Sequence, residues 1–271
     1  MKILITGAAG RLGRRLTAAL GTSHELILGD IKPLADPGFI RMDITDMTAV
    51  RAAVRSVDAI VHTAILDWPI CSAEESLHHA AASLRVHVIG IHNILHAAWE
   101  SGVKRFVYTS SVSAVEDIPA DTQVGSDTRH YSNDIYGMGK GVGEDICRMF
   151  HHTFGLSVAV LRLGNIFIPE SRGAWVGNIH VPDLSAGPAM DASPSRVHID
   201  DVTRAITLAL EAPDLGYVLA HVVGAGSGSR WDLETARRVY GWKPRYAFGA
   251  DGLPRDVGAS GKAPELLEGP L

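Results

Sequence analysis

Short apolar runs rich in Val, Ile and Leu alternate with longer amphipathic stretches through the first ~165 residues, the pattern expected when parallel strands are joined by covering helices. Strands are predicted at Lys2–Thr6, Glu25–Gly29, Phe39–Met42, Ala59–His62, Arg105–Ser110 and Ser157–Leu163. Between them the spacing predicts helices over Arg11–Leu20, Asp46–Arg55, a long one over about Ala73–Ser101, and Ile135–Phe154, each with one buried face. After Leu163 the pattern loosens, with Pro and Gly scattered from Pro169 to Pro194, which predicts loops and a small lobe. A helix resumes over Val202–Glu211, with Asp200 or Asp201 placed to cap it, and a strand follows at Tyr217–Val223.

The expected architecture is therefore α/β: a Rossmann-type doubly wound parallel sheet with a small C-terminal substrate lobe. Residues 1–165 form the Rossmann domain, 196–223 return to it, and 166–195 with 224–271 make the lobe. A chain of 271 residues with 46% hydrophobic and 20% charged residues has an ordinary globular composition. Its net charge of -5 gives no electrostatic case for nucleic acid. No run approaches the ~20 apolar residues that span a bilayer, and the apolar start is too short for a signal segment, so a soluble, cytoplasmic protein is expected. Cys71 and Cys147 have no CxxC partner, and His92 and His96 lack a third ligand, so no metal is expected. Trp99, Trp231 and Trp242 are read mainly as core, while Trp68 and Trp175 fall in loops.

Two motifs carry the chemistry. Thr6-Gly7-Ala8-Ala9-Gly10-Arg11-Leu12-Gly13 places three glycines directly after a strand and at the start of a helix. A pyrophosphate that must reach the backbone N–H groups of a helix N-terminus needs positions without Cβ there. Gly7, Ala9, Gly10, Arg11, Leu12 and Gly13 are the candidate contacts. Asp30 follows the second strand at about the ~20-residue distance where a carboxylate accepts hydrogen bonds from the ribose hydroxyls of NAD and repels the 2′-phosphate of NADP. The cofactor expected is NAD. Arg14 and Arg15, in the helix after the turn, are read as solvated.

The second motif, Tyr136-Gly137-Met138-Gly139-Lys140, puts a phenol and an ammonium one turn apart on a helix. A lysine charge beside the phenol, aided by a positive nicotinamide ring, is expected to lower the tyrosine pKa toward neutrality, so that it exchanges a hydroxyl proton while hydride moves.

With TGAAGRLG, Asp30, Asp43-Ile44, Val61-His62-Thr63-Ala64, Arg105 to Ser111, YGMGK, Leu161 to Asn165 and Val197 to Asp201 in order, the chain resembles the extended short-chain dehydrogenases, the NAD-dependent epimerases/dehydratases. The resemblance implies that Ser111 is the third catalytic residue with Tyr136 and Lys140. It implies that Asp43 and Ile44 meet the adenine, that Thr63 and Ala64 line the cofactor cleft, and that Leu163 and the loop after it face the nicotinamide end. Ser113 and Asn165 join Ser111 as candidate substrate contacts. It also implies a homodimer built from the long helix before Ser101 and the Tyr136 helix.

Departures from the family pattern narrow the substrate. The Asp-Glu pair of dehydratases is replaced by Val112-Ser113, which disfavours dehydration. The arginine that meets a nucleotide diphosphate is replaced by Pro194, with Arg196 two residues nearer. The compact C-terminal half, with Gly241-Trp242-Lys243-Pro244, is similar to that of uronate dehydrogenases, which oxidise a sugar acid at its anomeric carbon and need a cation for its carboxylate. Arg172 is the candidate cation. His87 stands where the family typically has an asparagine. The reading is an NAD-dependent oxidoreductase of sugar-like or sugar-acid hydroxyls, with a sugar epimerase as the alternative. A non-catalytic NAD(H) sensor is the other class, and such members commonly lose the tyrosine or lysine retained here.

Overall fold

The computed structural model describes residues 1–66, 73–169, 173–176, 179–180, 195–213, 215–226, 230–249 and 252–258. Its first part runs β1 (Lys2–Thr6), α1 (Arg11–Leu20), β2 (Glu25–Asp30), β3 (Phe39–Arg41), α2 (Met47–Val54), β4 (Ala59–His62), α3 (Ala73–Leu84), α4 (Ile91–Glu100), β5 (Arg105–Ser111), α5 (Ile135–Phe154) and β6 (Val158–Leu163). Then come β7 (Asn165–Ile168), β8 (Gly173–Val176), β9 (Ile179–His180), β10 (Arg196–His198), α6 (Ile199–Glu211), β11 (Tyr217–Val222), α7 (Glu234–Tyr240), β12 (Tyr246–Phe248) and β13 (Pro254–Asp256). Seven strands pair in the order β11-β6-β5-β4-β1-β2-β3, every pair parallel.

Both faces of this sheet are buried, and the side-chain period of two assigns each residue to a layer. Ile3, Ile5, Val61, Val107, Ala159 and Leu161 pack with Leu16 and Leu20 of α1 and with Val202, Ile206 and Ala209 of α6. Their strand neighbours Leu4, Ile60, Phe106, Tyr108, Val158 and Val160 pack instead with α2, α4 and α5 through Val50, Ile94, Leu95, Cys147 and Phe150. The central strands read as continuous apolar runs because a residue on either face meets a helix. This is the Rossmann-type doubly wound sheet.

A smaller sheet, ordered β10-β7-β8-β9, and the hairpin β12-β13 lie outside it. Residues 196–198, expected with the large sheet, pair with β7 in the smaller one. Helix α7 carried no expectation; it has 7 residues and is capped by Gly241 in the left-handed region at φ 67°.

The long helix expected over 73–101 is interrupted by a π-helical turn at Arg85–Gly90. Such a turn inserts a residue into the ladder. Here Gly90 passes Ile44, whose Cδ1 would stand 2.5 Å from any Cβ at that position. The same turn carries His87, buried edge-on against the Tyr136 ring with centroids 5.5 Å apart.

Neither Asp200 nor Asp201 caps α6. The cap is His198, whose Nδ1 accepts the Asp200 N–H at 3.2 Å. Asp200 pairs with Arg15, so that arginine is not merely solvated. The Asp201 carboxylate, 1% exposed, accepts the N–H groups of Arg245 and Tyr246 at 2.8–3.0 Å and the Arg204 guanidinium at 2.8 Å. Its carbonyl oxygen accepts the Trp242 indole N–H at 2.9 Å. One aspartate thus pins the segment after α7 to α6, and Trp242 is buried as expected of a core tryptophan. Trp231 is buried too, whereas Trp99 is 45% exposed, against expectation.

Candidate active site

Strand β1 ends where the chain must turn sharply into α1. Gly7 takes a φ of 73°, and a Cβ there would come 2.7 Å from the Ala64 backbone. A Cβ on Gly13 would collide with the Gly7 carbonyl oxygen and Ala8 Cα. These two positions therefore require glycine for packing the turn as well as for opening it. No side chain caps α1 at Gly10, so its first N–H groups stay available to an anion.

Asp30, the last residue of β2, is held at this turn. Its Oδ2 accepts the Ala9 N–H at 2.9 Å and its Oδ1 the Lys32 N–H at 2.8 Å. Thr63, just past β4, donates its hydroxyl to the Thr6 carbonyl at 2.7 Å. Arg14 is turned back onto the Ala9 carbonyl at 3.0 Å.

From this turn a cavity of about 460 Å³ runs to the C-terminal ends of β5 and β6. Of the residues singled out from sequence, Gly7, Ala9, Gly10, Arg11, Leu12, Gly13, Asp30, Thr63, Ser111, Ser113, Tyr136, Lys140, Leu163 and Asn165 line it. Asp43, Ile44 and Ala64 are not in its wall. Asp43 Oδ1 accepts the Thr45 N–H and hydroxyl, both at 2.8 Å, an Asx turn ahead of α2. Ile44 is in the core, and Ala64 lies behind Gly7. Arg172 lies outside the described residues.

At the far end of the cavity, Asp134 caps α5 by accepting the Gly137 N–H at 2.9 Å, which sets the helix start just before Tyr136. The Ser111 hydroxyl hydrogen-bonds the Tyr136 phenol and also accepts the Ser113 N–H at 3.1 Å. Lys140 is 2% exposed; its ammonium donates to the Thr109 carbonyl at 2.7 Å and lies 5.7 Å from the Tyr136 ring centre. Burial pushes the Lys140 pKa down to about 7, opposed chiefly by the Glu144 carboxylate.

Burial also pushes the Tyr136 phenol up to about 12, in spite of the Ser111 hydrogen bond. The expectation that Lys140 draws this phenol toward neutrality is not met by the chain alone, because loss of hydration, reinforced by the Asp134 carboxylate, outweighs the Ser111 hydrogen bond. Sequence reasoning also missed Ile65, Leu66, Ser110, Ile166 and Ile168 in the wall. Their only signal was adjacency to motif residues at strand C-terminal ends, where open α/β sheets bind ligands. Arg196, two residues from the place of the family's diphosphate arginine, is buried and turned onto the Gly252 carbonyl.

Comparison with known proteins agrees with this geometry. The model of the NAD dependent epimerase/dehydratase family matches residues 3–223. The chain is 27% identical to uronate dehydrogenase of Pseudomonas syringae pv. tomato, with 88% of this chain and 80% of that one covered. It is 26% identical to the NAD-dependent glucose-6-phosphate dehydrogenase of Haloferax volcanii, with 94% and 98% covered. The solved uronate dehydrogenase of Agrobacterium tumefaciens, a mutant complexed with NAD, aligns with a TM-score of 0.73 at 28% identity, covering 90% of this chain and 84% of that chain. With the glycine turn, Asp30 and the Ser111, Tyr136 and Lys140 cluster around one cavity, the chain belongs to the NAD-dependent epimerase/dehydratase family and is an oxidoreductase of the extended short-chain dehydrogenase type.

Proposed function

We propose that this protein is an NAD-dependent dehydrogenase that oxidises a sugar acid of the uronate class with net formation of NADH. The observation that carries the reading is the Ser111–Tyr136 hydroxyl pair beside Lys140, in the cavity that begins at the glycine turn. The similarity to uronate dehydrogenases over most of the chain supports the substrate class.

The cradle without Cβ atoms at Gly7 and Gly13 fits a pyrophosphate, and Asp30 fits the two ribose hydroxyls. When bound, NAD supplies the hydride acceptor and a positive ring. Ser111 orients the substrate oxygen, and Tyr136 takes its proton as hydride leaves the carbon. A phenol at about 12 is a poor base near neutrality. Lys140, held by Thr109, contributes the chain's own positive charge beside it. Arg172 is proposed to pair with the substrate carboxylate. Residues 166–195 and 224–271 are proposed to form the substrate lobe.

A homodimer is proposed as the working form, closed over α4 and α5. Exposed Ile89, Trp99, Met149 and Phe154 support it, and the Trp99 and Phe154 rings pack at a tilt with centroids 4.7 Å apart. Among the described residues no helix is long and apolar enough to cross a membrane. Cytoplasmic location is part of the same proposal; the buried free thiol of Cys147 suits a reducing compartment.

The experiment is an NADH absorbance assay with glucuronate, galacturonate, neutral hexoses and glucose 6-phosphate. Net NADH from a uronate supports the reading. Interconversion of sugars without NADH accumulation makes the protein an epimerase instead, and unchanged biological activity in Tyr136→Phe would make it a sensor.

A further inference from the structure

Glu144 stands on α5 one turn beyond Lys140, and Arg162 lies on β6. Their side chains are 1% and 0% exposed. The pair is bidentate, Arg162 donating from Nε to Oε1 at 2.8 Å and from Nη2 to Oε2 at 2.7 Å. The Ser110 hydroxyl donates to the same Oε1 at 2.6 Å. Arg162 Nη2 continues to the Thr128 carbonyl at 2.9 Å. One carboxylate therefore ties together α5, the end of β5 and the end of β6, and its arginine partner adds the loop that leads into α5.

Each tied piece carries a site residue beside the joint. Ser110 precedes Ser111, Arg162 precedes Leu163, and Glu144 follows Lys140 by a single turn. Ser110, Ser111, Lys140 and Leu163 all line the cavity. Stability alone accounts poorly for this arrangement. Desolvating two charges offsets much of their attraction, and packed apolar residues of like volume often do as well. Arg162 also leaves Nη1 without a hydrogen-bond partner. What a rigid fork on a fixed carboxylate supplies is geometry.

We propose that Glu144 is a positioning residue for the oxidoreduction. Gripped by Arg162, its carboxylate holds β5 and α5 in the register at which the Ser111 hydroxyl meets the Tyr136 phenol and the Lys140 ammonium meets the Thr109 carbonyl. This rests on Ser111, Tyr136 and Lys140 being the reacting set. The other titratable groups around Lys140 are His62 of β4, His87 of the π-helical turn, Tyr108 of β5, and Tyr136 and Cys147 of α5. Burial keeps both histidines neutral. Glu144 is the one carboxylate in this set, so it also favours the charged lysine.

The test compares Ser110→Ala, Glu144→Gln, Arg162→Lys and Tyr136→Phe in the full chain, on the sugar acid that the wild type turns over. Misplacing reacting groups by about an ångström costs on the order of 100-fold in rate. Glu144→Gln and Arg162→Lys are accordingly expected to lower kcat about 100-fold, and Ser110→Ala about tenfold, scaled down for its single lost bond. KM and the affinity for NADH, read by its fluorescence, stay within about twofold, since the glycine turn is untouched. Ser110→Ala removes little volume and decides the matter if the charged variants misfold. Wild-type kcat in folded Ser110→Ala and Glu144→Gln, or a loss that merely tracks the folded fraction by circular dichroism, overturns the proposal. Full activity in Tyr136→Phe would instead overturn the catalytic assignment beneath it.

Discussion

The Lys140 ammonium and the Thr109 carbonyl oxygen meet at 2.7 Å inside the protein, so the charge that serves the site is stitched to the strand that ends in Ser111. Burial sets what the lysine costs. Buried with a pKa near 7, Lys140 departs from the unfolded value of about 10.4. Between those values the unfolded chain carries a proton that the folded chain has released, so stability rises with pH through the window. Below about pH 7 both states are protonated and the penalty is constant, on the order of a few kcal/mol. Urea melts of the unliganded protein at about pH 7, 8 and 9 should show this rise, and Lys140→Met should flatten it. Parallel curves for the two proteins would show that the lysine is not desolvated.

Asp30 sets cofactor choice through charge and through the turn it braces. Replacing it with alanine removes the repulsion toward a 2′-phosphate and frees the Ala9 N–H. The ratio of kcat/KM for NAD over NADP is expected to fall about 100-fold, consistent with loss of the ribose contacts and of like-charge repulsion. An unchanged ratio would place the ribose elsewhere.

Asp201 binds two parts of the chain more than forty residues apart. Asp201→Ala leaves the N–H groups of Arg245 and Tyr246 without their carboxylate partner and is expected to cost about 1–3 kcal/mol. Hydrogen exchange should quicken in residues 242–246 before it does in the central sheet. Equal protection in that segment would refute the role of the aspartate as its anchor.

Arg172 is proposed as the partner of the substrate carboxylate. Arg172→Met is expected to raise KM for a uronate on the order of tenfold or more while leaving NADH affinity unchanged. A KM equal to that of the wild type would send the search for the cation to another residue.

The exposed seam of α4 and α5 is proposed to close a dimer. Trp99→Glu puts a charge where the Trp99 and Phe154 rings pack together and is expected to yield monomers in sedimentation at micromolar concentration, with the helical content kept. A wild type that sediments as a monomer, or a variant that remains dimeric, would remove this face from consideration.

Much of the site was legible because its demands are local. A turn at φ 73° against the Ala64 backbone admits only glycine, and Tyr136 and Lys140 share a helix face by spacing alone. Asp43 and Ile44, implied to meet the adenine, lie outside the cavity wall. Their neighbours offer a local hydrogen bond to one and core burial to the other, and neither alternative leaves a mark in a motif. The cap of α6 is His198 because the helix begins at Ile199, three residues ahead of the expected start, which leaves Asp200 and Asp201 inside its first turn.

By itself, the sequence determined the sheet, its two helix layers and the glycine turn, since periodicity and backbone sterics act over a few neighbouring residues. Tertiary structure alone decided that the Tyr136 phenol is pushed up rather than down, that Glu144 finds Arg162, and that a π-helical turn brings His87 against Tyr136. Desolvation and buried pairing depend on which distant segments exclude water together, and that is settled only when the strands and helices have packed.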